Sequence, residues 1–185
     1  MVSAEISQYE REAIELVSKN PLDLKFIDNL EEASYIRICL VAVRKYGYVL
    51  KFALVQTREM CLIAVKQDGF ALQFVWNKLL EICVAALKQC GLALKWIDRQ
   101  SIRLCLMAVK QNGIALQFSQ YRTRAICRAA VIQNGYAMWY IPEQDIELIN
   151  VALSNVFFFG ELGFFTLYDR RRLDLIHDPA IKALY

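Results

Sequence analysis

Residues 60–74 read MCLIAVKQDGFALQF and residues 104–118 read LCLMAVKQNGIALQF, one phrase written twice at a distance of 44 residues. Around and between these copies the phrase returns at half that distance. Gly47, Gly69, Gly91, Gly113 and Gly135 stand 22 residues apart, and Cys39, Cys61, Cys83, Cys105 and Cys127 keep the same step. A fixed period of this size marks stacked repeats, in which each unit buries its apolar face only against its neighbours.

Within each unit, a run rich in Ala, Leu, Met, Lys and Gln precedes the glycine, and these are good helix formers. The glycine then suits a left-handed residue just past a helix end, a conformation that costs glycine little. Asp68, Asn112 and Asn134, one residue earlier, suit the same ending. After the glycine come a small residue, Leu or Met, and an aromatic (Phe52, Phe74, Trp96, Phe118, Tyr140), which fit a short second helix with the aromatic in the core. Thr57, Asn77, Ser101 and Thr123 in the connectors can cap or turn the chain. The period predicts an all-α solenoid of 22-residue helix-turn-helix repeats.

The alternative is a leucine-rich-repeat-like α/β solenoid, whose period of about 20–29 residues also admits this spacing. It requires the intervening strand positions to face solvent. Here they are Cys and Ala in every unit, an exposed apolar face made of poor strand formers, and the helical reading is preferred.

One repeat domain is expected over 1–185: an N-terminal cap with a degenerate repeat at 1–35, five repeats at 36–145, and a C-terminal cap at 146–185. In the first cap, Ala13 takes the cysteine slot, Pro21 the glycine slot and Phe26 the aromatic slot. In the last, Phe157 stands where glycine belongs, and Pro179 opens a final short helix, AIKALY.

Charge is segregated along the chain. Residues 1–35 carry a net −5, residues 36–135 a net +11 and residues 136–185 a net −3. Acidic, atypical ends keep a repeat array from stacking end to end, whereas the basic centre sets what the surface attracts. Arg44, Lys66, Lys88 and Lys110 each stand three residues before their glycine, followed in three cases by Gln67, Gln89 and Gln111; Gln133 extends that second row. These four cations, with Arg103, are the candidate residues for binding an anion or a partner. Cations near a helix C-terminus also favour the helix dipole locally, so the row has a structural reading too.

Catalytic and metal chemistry find little support. Zinc sites want closely paired cysteines or mixed Cys/His sets, and Cys83 and Cys90 are the nearest pair. One cysteine per repeat is instead a ladder of small packing residues facing Ala42, Ala64, Ala86, Ala108 and Ala130, with Cys90 the exception beside its glycine. His177 is the single histidine, and no phosphate-cradling glycine motif occurs. Neither an enzyme nor a cofactor is expected.

The phrase A-V-K-Q-[ND]-G-x-A-L-Q-F at residues 64–74 and 108–118 resembles a family of short repeats of unknown function found in large DNA viruses of amoebae, in some algae and in intracellular bacteria. The resemblance covers residues 36–145, although family members often have acidic connectors where this chain has basic or neutral ones. It implies a helical repeat in a viral or virion-associated setting, and brings no catalytic residues.

A non-enzymatic scaffold for protein–protein interaction is therefore expected, with sequence-independent nucleic-acid binding through the basic array as the alternative. The apolar stretch Phe157–Phe165 suggests a homodimer. Its interruption at Glu161 leaves it far short of the ~18–20 apolar residues of a membrane span. The polar, acidic start lacks a signal-peptide pattern, which points to a reducing, intracellular compartment: host cytoplasm or nucleus, or a virion if the viral resemblance holds.

Overall fold

The structure, a computed structural model, describes residues 7–28 and 30–141, together with 147, 148 and 151. Most of the expected C-terminal cap lies outside these residues, as do His177, the Phe157–Phe165 stretch and the AIKALY helix. Among the described residues there is no strand, so the leucine-rich-repeat alternative is excluded and the chain is an all-α helical repeat. It divides into two compact units, Met1–Trp96 and Ile97–Tyr185.

In the first unit α-helices alternate with six-residue 3-10 helices: α1 (Gln8–Lys19), η1 (Pro21–Phe26), α2 (Glu32–Lys45), η2 (Gly47–Phe52), α3 (Arg58–Gln67), η3 (Gly69–Phe74), α4 (Leu80–Gln89) and η4 (Gly91–Trp96). Each α-helix packs on the α-helix of the next repeat and each 3-10 helix on the next 3-10 helix, giving two stacked layers. The second unit repeats the scheme with α5 (Ile102–Gln111), η5 (Gly113–Phe118), α6 (Arg124–Gln133) and η6 (Gly135–Tyr140). Thr57, Ser101 and Thr123 cap α3, α5 and α6 as expected, each accepting from the backbone N–H three residues on. Asn77 supplies no cap to α4; Leu79 stands at that position without a side-chain cap bond.

The corner between the two helices differs from the expectation. The last residue before each glycine is extended, as at Asp68 (φ −144°, ψ 115°), and Gly47, Gly69 and Gly113 do not adopt the left-handed backbone. The glycine opens the 3-10 helix instead of closing the α-helix. Asp68, Asn112 and Asn134 cap that second helix, their side chains accepting from the N–H of Phe70, Ile114 and Tyr136 at 2.8–3.0 Å. Glycine is needed for close approach. A Cβ on Gly69 would lie 2.7 Å from the Ala86 carbonyl oxygen and 2.9 Å from Cys90 Cβ; on Gly47 it would lie 2.9 Å from Ala64 Cα.

The buried face of the α-layer is the Cys/Ala face: Cys39, Cys61, Cys83, Cys105 and Cys127 are buried, and each faces the core with its alanine. In the other layer Val49, Ala71, Ala93, Ala115 and Ala137 and the following Leu or Met are buried. The aromatics do not join that core. Phe52, Phe74, Trp96, Phe118 and Tyr140 are half-buried. Each is the last residue of its 3-10 helix, one turn beyond the buried small residue at +2. There the rings interleave between repeats, Tyr48 edge-on to Phe74 (4.8 Å) and Phe70 edge-on to Trp96 (5.1 Å).

Candidate binding face

Two glutamine clamps hold neighbouring repeats in place. Gln67, at the end of α3, reaches back one repeat: Gly47 N–H donates to its Oε1 at 2.7 Å, and its Nε2 donates to the carbonyls of Val43 and Arg44 at 3.0 and 2.8 Å. One amide thus satisfies the orphan carbonyls of a helix end and the first N–H of the next helix. Gln89 repeats the bond to Gly69 N–H at 2.6 Å, and Gln133 repeats it to Gly113. The second clamp lies at the other end of the repeat. Gln56 donates to the Phe74 carbonyl at 2.8 Å and accepts from Trp76 N–H at 3.1 Å; Gln100 does the same with Phe118 and Gln120, both at 2.9 Å.

The cysteines belong to this lattice. Cys61 and Cys105 thiols donate to the side-chain oxygens of Gln56 and Gln100, and the thiols of Cys83 and Cys127 to the carbonyls of Lys78 and Arg122. Size is therefore half the reason for cysteine; a donor pointing back five residues is the other half. All six cysteines are free, and Cys90 alone among them is half-exposed. Burial pushes the Cys39 thiol up to about 11 and also raises Cys61, which keeps both as neutral thiols. The clamping role of the glutamines was readable in part, as polar residues locked to the glycine period, but their partners lie 18–24 residues away and belong to tertiary structure.

Beyond this polar lattice, a row of exposed cations runs along the α-layer. In the first unit Arg44, Lys66 and Lys88 sit in the last turns of α2, α3 and α4, all exposed. Arg44 pairs with Glu59 at 3.1 Å, and Arg58 takes Glu81 with two bonds. Both pairs are solvent-exposed and contribute little to stability. Lys66 and Lys88 have no carboxylate partner among the described residues. Beside this row, Leu40, Leu62, Ile63 and Val84 are only half-buried. A groove of about 520 Å³ opens between α2 and α3, floored by Ile36, Leu40, Leu62 and Ile63 and edged by Arg58, Glu59 and Lys66. On α4, Leu80 takes the position Arg58 holds on α3 and is 68% exposed; Trp76, four residues earlier in the connector, is 65% exposed.

In the second unit Lys110 and Arg103 are exposed on α5, again without a carboxylate partner among the described residues. On α6 the place of the cation is taken by Ile132, 56% exposed. The 3-10 layer of the first unit is different, because its cations are already used: Lys51 lies 4.6 Å from the Phe52 ring centre and Lys25 4.6 Å from that of Phe26. Among the described residues no cluster of three or more His, Cys, Asp or Glu could hold a metal ion, and no helix is long and apolar enough to cross a membrane.

No curated protein and no solved structure matches the chain. A family model, the Domain of unknown function (DUF4116), matches residues 57–103, the stretch that begins at the α3 cap, contains the Gly69–Gln89 joint and ends in the first turn of α5.

Proposed function

We propose that this chain is a non-enzymatic helical-repeat scaffold that binds another protein, in the viral or virion setting that the repeat phrase suggests. One observation carries the reading. The repeated glutamines are engaged in holding repeats together and the repeated cysteines are buried, while the α-layer keeps a half-buried apolar row edged by unpaired cations. Such a surface, apolar at the centre and charged at the rim, is suited to protein contacts. The test is affinity capture on the full chain from nuclease-treated extract. Discrete proteins should remain bound at moderate salt; a clean capture rejects the reading.

The unpaired Lys66 and Lys88 favour a second reading, sequence-independent binding of DNA or RNA. Its signature is an affinity falling steeply with salt, by a slope of about one per phosphate neutralised. Absence of binding at low salt removes it; if charge reversal at Arg44, Lys66, Lys88 and Lys110 leaves the affinity unchanged, the row of cations is structural.

A further inference from the structure

We infer that the groove between α2 and α3 is the start of a docking track for an acidic amphipathic helix of a partner protein, laid across α2, α3 and α4. This rests on the scaffold reading and names its partner class.

Three features of the face define the occupant. The first is leftover charge. The carboxylates beside the groove, Glu59 and Glu81, are each engaged by an arginine, so what remains unneutralised is Lys66 at the groove edge and Lys88 one repeat further on. The complement is a segment bearing Asp or Glu. The second is the apolar floor. Ile36, Leu40, Leu62 and Ile63 line a space of about 520 Å³, large enough for an apolar anchor, and Leu80 and Val84 supply half-buried or exposed apolar surface at the equivalent positions of α4.

The third is spacing. Packed helices lie ~8–10 Å apart, so Lys66 and Lys88, at equivalent positions of α3 and α4, recur at about that step. On an α-helix, positions i and i+7 are about 10.5 Å apart along the axis and lie on one face. A helix crossing the layer can place one apolar residue in the α2–α3 groove and the next, at i+7, against Leu80 and Val84 of α4. Acidic residues on its flank, also seven apart, then reach Lys66 and Lys88. Helix-in-groove recognition uses this pattern of anchors.

The experiment is selection of a phage-displayed library of random 16-residue peptides on the full chain, followed by affinity measurement with the enriched peptides. They should carry apolar residues at i, i+3 or i+4, and i+7 with Asp or Glu on one flank. Lys66→Glu/Lys88→Glu should weaken them at least tenfold, and Leu62→Glu should do likewise. Both lysines are exposed, so the first variant tests charge without disturbing the core; its thermal melt should match that of the parent chain. Absence of enrichment overturns the inference, as do basic consensus peptides or peptides that bind the lysine variant undiminished. Displacement of the peptides from these lysines by a tighter-binding single-stranded oligonucleotide also overturns it. If the proteins captured from extract bind the wild type and Lys66→Glu/Lys88→Glu equally, the scaffold reading stands and only this groove is rejected.

Discussion

The joint between α1 and α2 and the joint between α2 and α3 do the same work with different chemistry. At the second joint Gly47 has an N–H that must be satisfied, and Gln67 supplies an acceptor for it and a donor for the Val43 and Arg44 carbonyls. At the first joint the glycine slot holds Pro21, which has no N–H. The residue that reaches back is then Lys45, a donor without an acceptor, and it bonds the Ser18 carbonyl. The second clamp changes in parallel. Where Gln56 and Gln100 hold the next connector, the first joint uses Tyr35, whose hydroxyl donates to the Phe52 carbonyl and accepts from Leu54 N–H at 3.1 Å. The first joint also gains the buried Glu10, which accepts from Arg37 at 2.7 Å and from Ser34 at 2.8 Å. The two joints use different residues, and in each the donors and acceptors match.

The strongest way to break the regular joint is to deny it closeness. Gly69→Ala puts a methyl group against the Ala86 carbonyl and Cys90, and should destabilise the chain by about 2–4 kcal/mol in urea unfolding, with loss of the Gln89 bond. Full stability in that variant removes the close-approach account of the glycines.

Removing the clamp comes next. Gln67→Leu leaves the Gly47 N–H and two carbonyls without their partner and should cost about 1–3 kcal/mol, again read by urea unfolding. The first joint can then be converted into a regular one. Pro21→Gly creates an N–H that Lys45 cannot accept, whereas Pro21→Gly with Lys45→Gln restores the match. A double-mutant cycle should show about 1 kcal/mol of favourable coupling, and additive effects would argue that Lys45 and Pro21 are matched by accident.

The smallest effect is a dependence on pH. Burial pushes Tyr35 up to about 12 and Cys39 up to about 11, against ordinary values of 10 and 9. Both groups are neutral when protonated and hold their protons more tightly in the folded chain. Their contribution is fully present below pH 9 and is lost as pH rises through 11 to 12. Thermal midpoints should fall across that window, and Cys39→Ala should flatten the part of the fall that begins at pH 9.

Much of the fold was readable from the chain. The glycine period located the corners that open η2 to η6, the Thr57, Ser101 and Thr123 caps stood where α-helices begin, and the Cys/Ala face was the buried one. The second helix was readable as a helix but not as a 3-10 helix, because six residues with an aromatic end satisfy either period. The same pattern placed the aromatics in the core, whereas at the ends of their 3-10 helices they are half-buried. The candidate face was legible in its cations only. Lys66 and Arg44 look alike in the sequence, but Arg44 is paired with Glu59 and Lys66 is not.

What the sequence determined alone is the period, and with it the alternation of helices and the burial of one Cys and one Ala per turn of the repeat. These follow from local propensity and from facing positions three residues apart on a helix. What only the tertiary structure decided is why the repeated glycine is a glycine and the repeated glutamine a glutamine. Each meets its partner about 20 residues away, across a joint where a carbonyl of one repeat comes too close to the backbone of another to leave room for a side chain.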